Sequence, residues 1–412
     1  MLTYYTRPGG RLQGTARIPG DKSISHRAVI LASIADHQTV IHDFLNSADT
    51  MATLNACRQL GVPITIKNNQ VIVEGVGLHG LRASNQILDL GNSGTGFRLL
   101  VGLLAGQRFD SAITGDASLQ KRPMERILVP LRLMGAKINS DQFPIHIHGS
   151  VLHGIYYSLP IPSAQIKSCL LLAGLYAEGK TTITESVSTR DHTELLLQCH
   201  GEKEIFIPAD ISSAAFFIVG ASIAPGSDIL LENIGVNLTR MGMIHILRLM
   251  GADIIFENPR MLGAESVADI RVRYAPLQGI DIPKEYIVSA IDEFPIIFIA
   301  AACATGVTRL QGAGELRVKE SDRIATMVKG LQILGIQAET LSDGVIIEGG
   351  QIRGGEVDSA GDHRVAMAFA IAGLAAKQPI MIHDCANIAT SFPEFVTVAQ
   401  QLGLEIFSEP HH

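Results

Sequence analysis

The hexapeptide LRLMGA occurs twice in this chain, at Leu131–Ala136 and again at Leu247–Ala252. Looser versions end at Gly61 (RQLG), Gly335 (QILG) and Gly403 (QQLG), and a degraded one ends at Gly201. Each reads as the last turn of a helix stopped by glycine, because the position after the helix favours a positive φ that only glycine adopts without a Cβ clash. Self-similarity at such spacings marks a repeat architecture, so the repeat has to be read before anything else.

Outward from these glycines the pattern extends in both directions. After four of them the sequence reads as paired strands: Ile64–Lys67 with Val71–Glu74 across Asn68-Asn69, Ala136–Ile138 with Ile145–His148, and similar pairs after Gly251 and Gly335, the last turning at Ser342-Asp343-Gly344. A second kind of helix, rich in alanine, leucine and isoleucine with its polar residues gathered at the start, begins near Lys22, Asn92, Ser163, Ser212, Asp292 and Asp362. Strand-like runs follow, such as Thr39–Asp43, Ser111–Thr114, Lys180–Glu185, Ser227–Glu232, Val307–Gln311 and Pro379–His383.

The fold expected is α/β, with two domains built from six β-α-β-α-β-β units, one helix of each unit buried all round and one amphipathic. The division falls near Pro208. Residues 20–208 form one domain of three units, and residues 1–19 plus 209–412 form the other, the N-terminal segment pairing back. Between Gly201 and Gly251 the repeat is shortest, at 50 residues, and only Glu202–Pro208 stands where a hairpin should be. The third unit is therefore expected to be truncated, weakly packed and left with an exposed sheet edge.

Composition narrows the function. With 412 residues, 47% of them hydrophobic, the chain exceeds what one core usually holds. The charge of −7, from 40 acidic against 33 basic residues without a basic block, argues against nucleic acid or an anionic membrane as partner. Five scattered cysteines, Cys57, Cys169, Cys199, Cys303 and Cys385, fit neither a disulfide framework nor a zinc site. Met1–Pro19 lacks the apolar core of a signal peptide, and the most apolar runs are shorter than the ~18–20 residues a bilayer requires. A cytoplasmic protein without membrane attachment is expected.

The chemistry should lie at the starts of the apolar helices, where unpaired N–H groups and the positive dipole end attract anions. Asp21-Lys22-Ser23-Ile24-Ser25-His26-Arg27 opens the first, and Gly91-Asn92-Ser93-Gly94-Thr95-Gly96-Phe97-Arg98 the second. The glycines of the latter suit close backbone approach to phosphate, although alone they could be a turn into a helix. Lys121-Arg122, Lys319-Glu320-Ser321-Asp322-Arg323 and Asp362-His363-Arg364 add cations at equivalent places, each alone readable as a solvated ion pair. Asp292-Glu293 opens an otherwise apolar helix. There Asp292 is either a structural cap or a proton acceptor. HExxH, GxSxG and P-loop motifs are absent, and His363 and His192 suit helix-start hydrogen bonding better than metal ligation.

Nine motifs then carry a resemblance over nearly the whole chain: PGDKSISHRA (Pro19–Ala28), LGNSGTGFRLL (Leu90–Leu100), TGDASLQKRPM (Thr114–Met124), SAQIKS (Ser163–Ser168), TRDHTE (Thr189–Glu194), IDEFP (Ile291–Pro295), ELRVKESDRI (Glu315–Ile324), DHRVAMAFA (Asp362–Ala370) and ATSFPEF (Ala389–Phe395). In this order they resemble the 5-enolpyruvylshikimate-3-phosphate synthases, second-subclass-like. The resemblance implies an inverse α/β barrel-like fold whose two domains close over the substrates, and transfer of the enolpyruvyl group of phosphoenolpyruvate to the 5-hydroxyl of 3-phosphoshikimate with release of phosphate. It implies no cofactor and no metal, and a monomer is expected.

By position, the resemblance assigns Lys22, Ser23, Arg27, Ser163, Gln165, Arg190, Asp292 and Lys319 to 3-phosphoshikimate. It assigns Lys22, Asn92, Gly94, Arg122, Gln165, Arg323 and Arg364 to phosphoenolpyruvate. Asp292 matches the acceptor of the hydroxyl proton and Glu320 the donor to the methylene carbon, with Lys22 touching both substrates. Ala164, Glu315 and Thr390 depart from a serine, an asparagine and a lysine seen in other members. Gly94, where alanine accompanies glyphosate tolerance in that subclass, implies inhibition by glyphosate. Two other readings are a non-catalytic ligand-binding relative and the UDP-N-acetylglucosamine enolpyruvyl transferase, whose reactive loop carries a cysteine that Gly115–Arg126 lacks.

Overall fold

Six helices of the computed structural model are buried on almost every side: α1 (Lys22–Ser33), α2 (Gly94–Ala105), α3 (Ala164–Gly174), α4 (Ile211–Ile223), α5 (Phe294–Cys303) and α6 (His363–Ala372). The structure describes residues 2–67, 70–139, 141–199 and 201–410; the turn expected at Asn68-Asn69 lies outside the described residues. Apolar side chains all round a helix leave it no solvent face, so these six form cores instead of covering one. In α4 every residue is buried, and in α6 likewise. Burying Phe216, Phe217 and Ile218 of α4 contributes ~1.5–3 kcal/mol per side chain.

Five of the six starts are fixed by a side chain that accepts a backbone N–H. Asp21 accepts from Ile24, Ser93 from Gly96, Ser163 from Ile166, Asp210 from Ser212 and Asp362 from Arg364. Such caps contribute about 1 kcal/mol each and fix where the polar cluster meets the helix. All six repeat glycines adopt positive φ, from +86° at Gly335 to +125° at Gly201, as the capping reading requires.

The chain packs into two compact units. One comprises Met1–Pro19, Pro208–Met261 and Glu265–His412, and the other Gly20–Ile207 with Leu262–Ala264. Pro208 thus packs with the first of these, where the sequence reading had placed it with the second. Each unit holds its own apolar core, α1–α3 in one and α4–α6 in the other. Among the described residues no helix is long and apolar enough to cross a membrane.

Four sheets of four strands share one order, a parallel edge strand, a central strand, a returning antiparallel strand and an outer strand. They run 204–206, 38–42, 70–74, 64–67; 88–89, 111–114, 145–148, 137–138; 13–17, 228–235, 265–273, 253–262; and 355–358, 380–383, 2–6, 406–410. In the last, the N-terminal strand Leu2–Thr6 supplies the returning position. A three-stranded sheet, 307–310, 345–348, 337–340, has only the isolated parallel bridges Gln278↔Thr305 and Asp281↔Arg309 at its edge.

The region before Gly201 departs from this order. Leu152–His153 pairs in parallel with Ala177–Glu178, and Tyr156–Ser158 with Thr182–Thr184, and neither pair has a returning or outer strand among the described residues. Glu204–Phe206 pairs in parallel with Gln38–His42 and is the counterpart of Gln13–Arg17, the strand that precedes the other passage of the chain between units. No hairpin therefore stands here among the described residues, and the expected free edge belongs to Thr182–Thr184, whose residues are half-buried. Gly20, at the first passage, admits no side chain, since a Cβ would lie 2.0 Å from the Asp43 carbonyl oxygen.

Candidate active site

In the unit containing α1–α3, the helix starts carry the expected cations. Lys22, first residue of α1, places Nζ 3.0 Å from Oδ2 of the buried Asp49. Arg27, 2% exposed, donates from Nε to Thr193 Oγ1 (2.7 Å), from Nη1 to the Ser23 carbonyl (2.8 Å) and from Nη2 to Ser168 Oγ (2.8 Å). That guanidinium ties α1 to α3 and to the helix His192–Gln198. His26 bridges to the start of α2, with Nδ1 2.8 Å from Thr53 Oγ1 and Nε2 3.4 Å from Ser93 Oγ. Burial, reinforced by Lys22 and Arg27, pushes its imidazole well below the ordinary histidine value, so the ring is neutral at pH 7.

At the start of α2 a polar lattice forms. Asn92 donates to Asp116 Oδ2 (2.9 Å) and accepts from Arg122 Nη2 (2.8 Å). Gln165 accepts from Arg98 Nη1 (2.6 Å) and donates to Thr95 Oγ1 (3.0 Å), so α3 is cross-linked to α2. Gly94 has no room to spare: an added Cβ would lie 2.7 Å from Arg122 Nη1 and 2.9 Å from Arg98 Nη1. Ser163 is spent on capping α3, while Ser23 and Arg190 are half-buried.

In the other unit the centre is Arg323, first residue of the helix Arg323–Ile333 and 1% exposed. Its Nε donates to Asp362 Oδ2 (2.8 Å), its Nη2 to Glu320 Oε2 (2.6 Å), and its Nη1 lies 3.7 Å from Asp292 Oδ1. Burial alone would lower the Arg323 pKa, but the carboxylates of Asp362, Glu320 and Asp292 outweigh it and hold the guanidinium charged more firmly than usual. Lys319 Nζ also approaches Asp292 Oδ1, at 3.6 Å.

The N-cap of α5 is Glu293, without a side-chain capping bond, and Asp292 stands one residue before it with cations on two sides. Arg364 begins α6 with Nη1 3.8 Å from Glu293 Oε1. The predicted residues thus gather at or near helix starts in each unit, Arg27 excepted, which lies in the middle of α1. Sequence reasoning missed Asp49, Arg98 and Glu293 as contributors. Arg98 had a signal, a lone cation four residues after Gly94 in an apolar run, whereas Asp49 had only its place in the first turn of the helix Ala48–Gln59.

Comparison with known proteins follows the same lines. The sequence model of the family EPSP synthase (3-phosphoshikimate 1-carboxyvinyltransferase) matches residues 6–203 and 198–399. The two matches meet at the place where the hairpin is missing. The 3-phosphoshikimate 1-carboxyvinyltransferase of Methylococcus capsulatus is 56% identical over 98% of each chain. That alignment spans 429 positions, more than this chain's 412 residues, so the relative carries residues absent here. A solved EPSP synthase from Acinetobacter baumannii shares 48% identity over 100% of both chains with a TM-score of 0.89. The enolpyruvyl transferase NikO from Streptomyces tendae, 14% identical with a TM-score of 0.79 over 100% of this chain and 99% of its own, shares the fold. The mixed α/β architecture, the helix-start cations and these likenesses agree: the chain belongs to the EPSP synthase family, the 3-phosphoshikimate 1-carboxyvinyltransferases, and enolpyruvyl transfer in the shikimate pathway is its activity.

Proposed function

We propose that residues of both units serve one reaction, with phosphoenolpyruvate and 3-phosphoshikimate as substrates, in a cytoplasmic monomer that needs no metal or cofactor. Lys22, Ser23, Arg27, Ser163, Gln165, Arg190 and Lys319 hold 3-phosphoshikimate, Arg27 also bracing the helix starts around it. Lys22, Asn92, Gly94, Arg122, Gln165, Arg323 and Arg364 hold phosphoenolpyruvate, whose phosphate and carboxylate suit arginine forks and open N–H groups at helix starts. The repeated sheet order supports a fold of six related units, the third having lost its hairpin.

In the addition step the 5-hydroxyl oxygen attacks C2 of phosphoenolpyruvate as Asp292 accepts the hydroxyl proton and Glu320 gives a proton to C3. A C3 proton then returns to the Glu320 carboxylate as the C2–O bond to phosphate breaks, which restores the enol ether and releases inorganic phosphate. Glu320 accepts from Arg323 Nη2 through Oε2, which holds the carboxyl group beside the guanidinium. The observation that carries this assignment is Asp292 between Lys319 and Arg323 at 3.6 and 3.7 Å, just before the start of α5.

The test is phosphate release from phosphoenolpyruvate with and without 3-phosphoshikimate, for the wild type and Asp292→Ala. Release should need both substrates and fall by ~10²–10⁴ in the variant, the usual worth of a general base. A variant that keeps wild-type release removes Asp292 from the mechanism.

A further inference from the structure

Glu293 is the one N-cap residue among the six inner helices whose side chain does not serve its own helix. Its carboxylate, in a residue only 2% exposed, is turned inward instead. Oε1 accepts a short hydrogen bond from Ser212 Oγ and lies 3.8 Å from Arg364 Nη1, while Oε2 is buried with no hydrogen-bond partner among the described residues. Ser212 Oγ in turn accepts from Nη2 of the buried Arg240 (2.5 Å), which also reaches Asp210 Oδ1 (3.3 Å). The line Arg240–Ser212–Glu293–Arg364 thereby links the turn Leu238–Arg240 with α4, α5 and α6.

Packing gives no reason for a carboxylate here, since an apolar side chain would be buried without leaving an oxygen unmet. The geometry toward Arg364 supplies one. A separation of 3.8 Å is within reach of charge attraction and beyond a hydrogen bond, so the carboxylate can steer the guanidinium without occupying its N–H fork. Ser212, held by Arg240, fixes the carboxylate from the opposite side.

We infer that Glu293 is the positioning residue of Arg364: its charge sets the guanidinium's direction while leaving the guanidinium N–H groups for the anionic substrate. The inference rests on the reading that Arg364 binds phosphoenolpyruvate. Glu293 touches no substrate, and its effect is confined to the affinity that Arg364 confers.

The experiment is steady-state kinetics, each substrate varied in turn, on the wild type, Glu293→Gln, Arg364→Lys and the double variant, with a thermal melt of each. Glu293→Gln keeps the acceptor for Ser212 and removes only the charge. It should raise the KM for phosphoenolpyruvate about tenfold, leave kcat and the KM for 3-phosphoshikimate within about twofold, and not lower the melting temperature. In the Arg364→Lys background the same change should add almost nothing. An unchanged KM for phosphoenolpyruvate in Glu293→Gln, or a penalty that persists in full beside Arg364→Lys, overturns the inference. Arg364→Lys with an unaltered KM for phosphoenolpyruvate would instead remove the underlying reading of Arg364, whatever Glu293 does. Should Glu293→Gln not fold, Ser212→Ala, which frees the carboxylate while keeping its charge, must raise the same KM by a smaller factor, and the absence of any rise overturns the inference.

Discussion

Helices α5 and α6 begin alike in sequence, with Asp292-Glu293 and Asp362-His363, yet their aspartates have opposite fates. Asp362 is 0% exposed, caps α6 through the Arg364 N–H, accepts two bonds from Arg323 and another from Ser321 Oγ (3.1 Å). Asp292, one residue before the N-cap of α5, keeps 18% of its side chain exposed and has Lys319 and Arg323 nitrogens at 3.6 and 3.7 Å. A carboxylate wholly buried against its partners is architecture, and one that keeps solvent access beside two cations is placed to exchange a proton. The acid at the fifth helix start stands outside the cap position, as the proposed proton acceptor needs.

The sharpest break of this contrast is a pair of melts. Asp292→Ala should abolish most activity while leaving the melting temperature nearly unmoved. Asp362→Ala should destabilise the protein by ~3–5 kcal/mol, because the buried Arg323 loses its principal partner and α6 its cap. Equal melting temperatures for the two variants would erase the distinction.

Gly94→Ala probes the other unit. Its methyl would displace the Arg122 and Arg98 guanidinium ends. We expect a KM for phosphoenolpyruvate raised about tenfold, equivalent to ~1.4 kcal/mol, and a larger rise in the glyphosate concentration needed for half-inhibition. A wild-type enzyme whose turnover is untouched by glyphosate far above the phosphoenolpyruvate KM would contradict the role given to Gly94.

The smallest effect belongs to an ordinary cap. Ser163→Ala should cost α3 about 1 kcal/mol and lower the melting temperature by ~2–4 °C. Because Ser163 is also proposed to hold 3-phosphoshikimate, the KM for that substrate should rise as well, and an unchanged KM would reduce Ser163 to a cap for the Ile166 N–H.

Much of this was legible in the chain. The repeat glycines, the polar openings of the six helices and the strand runs after them all report local backbone needs, which sequence records directly. The strand Glu204–Phe206 was not legible, because a three-residue parallel edge strand has no periodicity of its own, and its partner lies at residues 38–42. The exchange of roles between Asp292 and Glu293 was equally hidden. Which of two neighbouring acids occupies the cap is decided by Ser212, Arg364, Lys319 and Arg323, none of them within 20 positions along the chain. Lys22 and Asp49 pair for the same kind of reason.

The N-terminal strand has a consequence for how the molecule comes into being. Leu2–Thr6 lies between Ile380–His383 and Ile406–Pro410, so this strand waits for residues made much later before its sheet can close. Residues 20–207 have no such wait, being one run of chain but for Leu262–Ala264. Synthesis should therefore complete the unit of residues 20–207 first, while the strand Leu2–Thr6 stays open to proteases and chaperones. Nascent chains arrested well beyond Ile207 should yield a protease-resistant fragment covering that run with the first nineteen residues trimmed away. Protection of those residues before Pro410 is made would mean the strand finds another partner on the way.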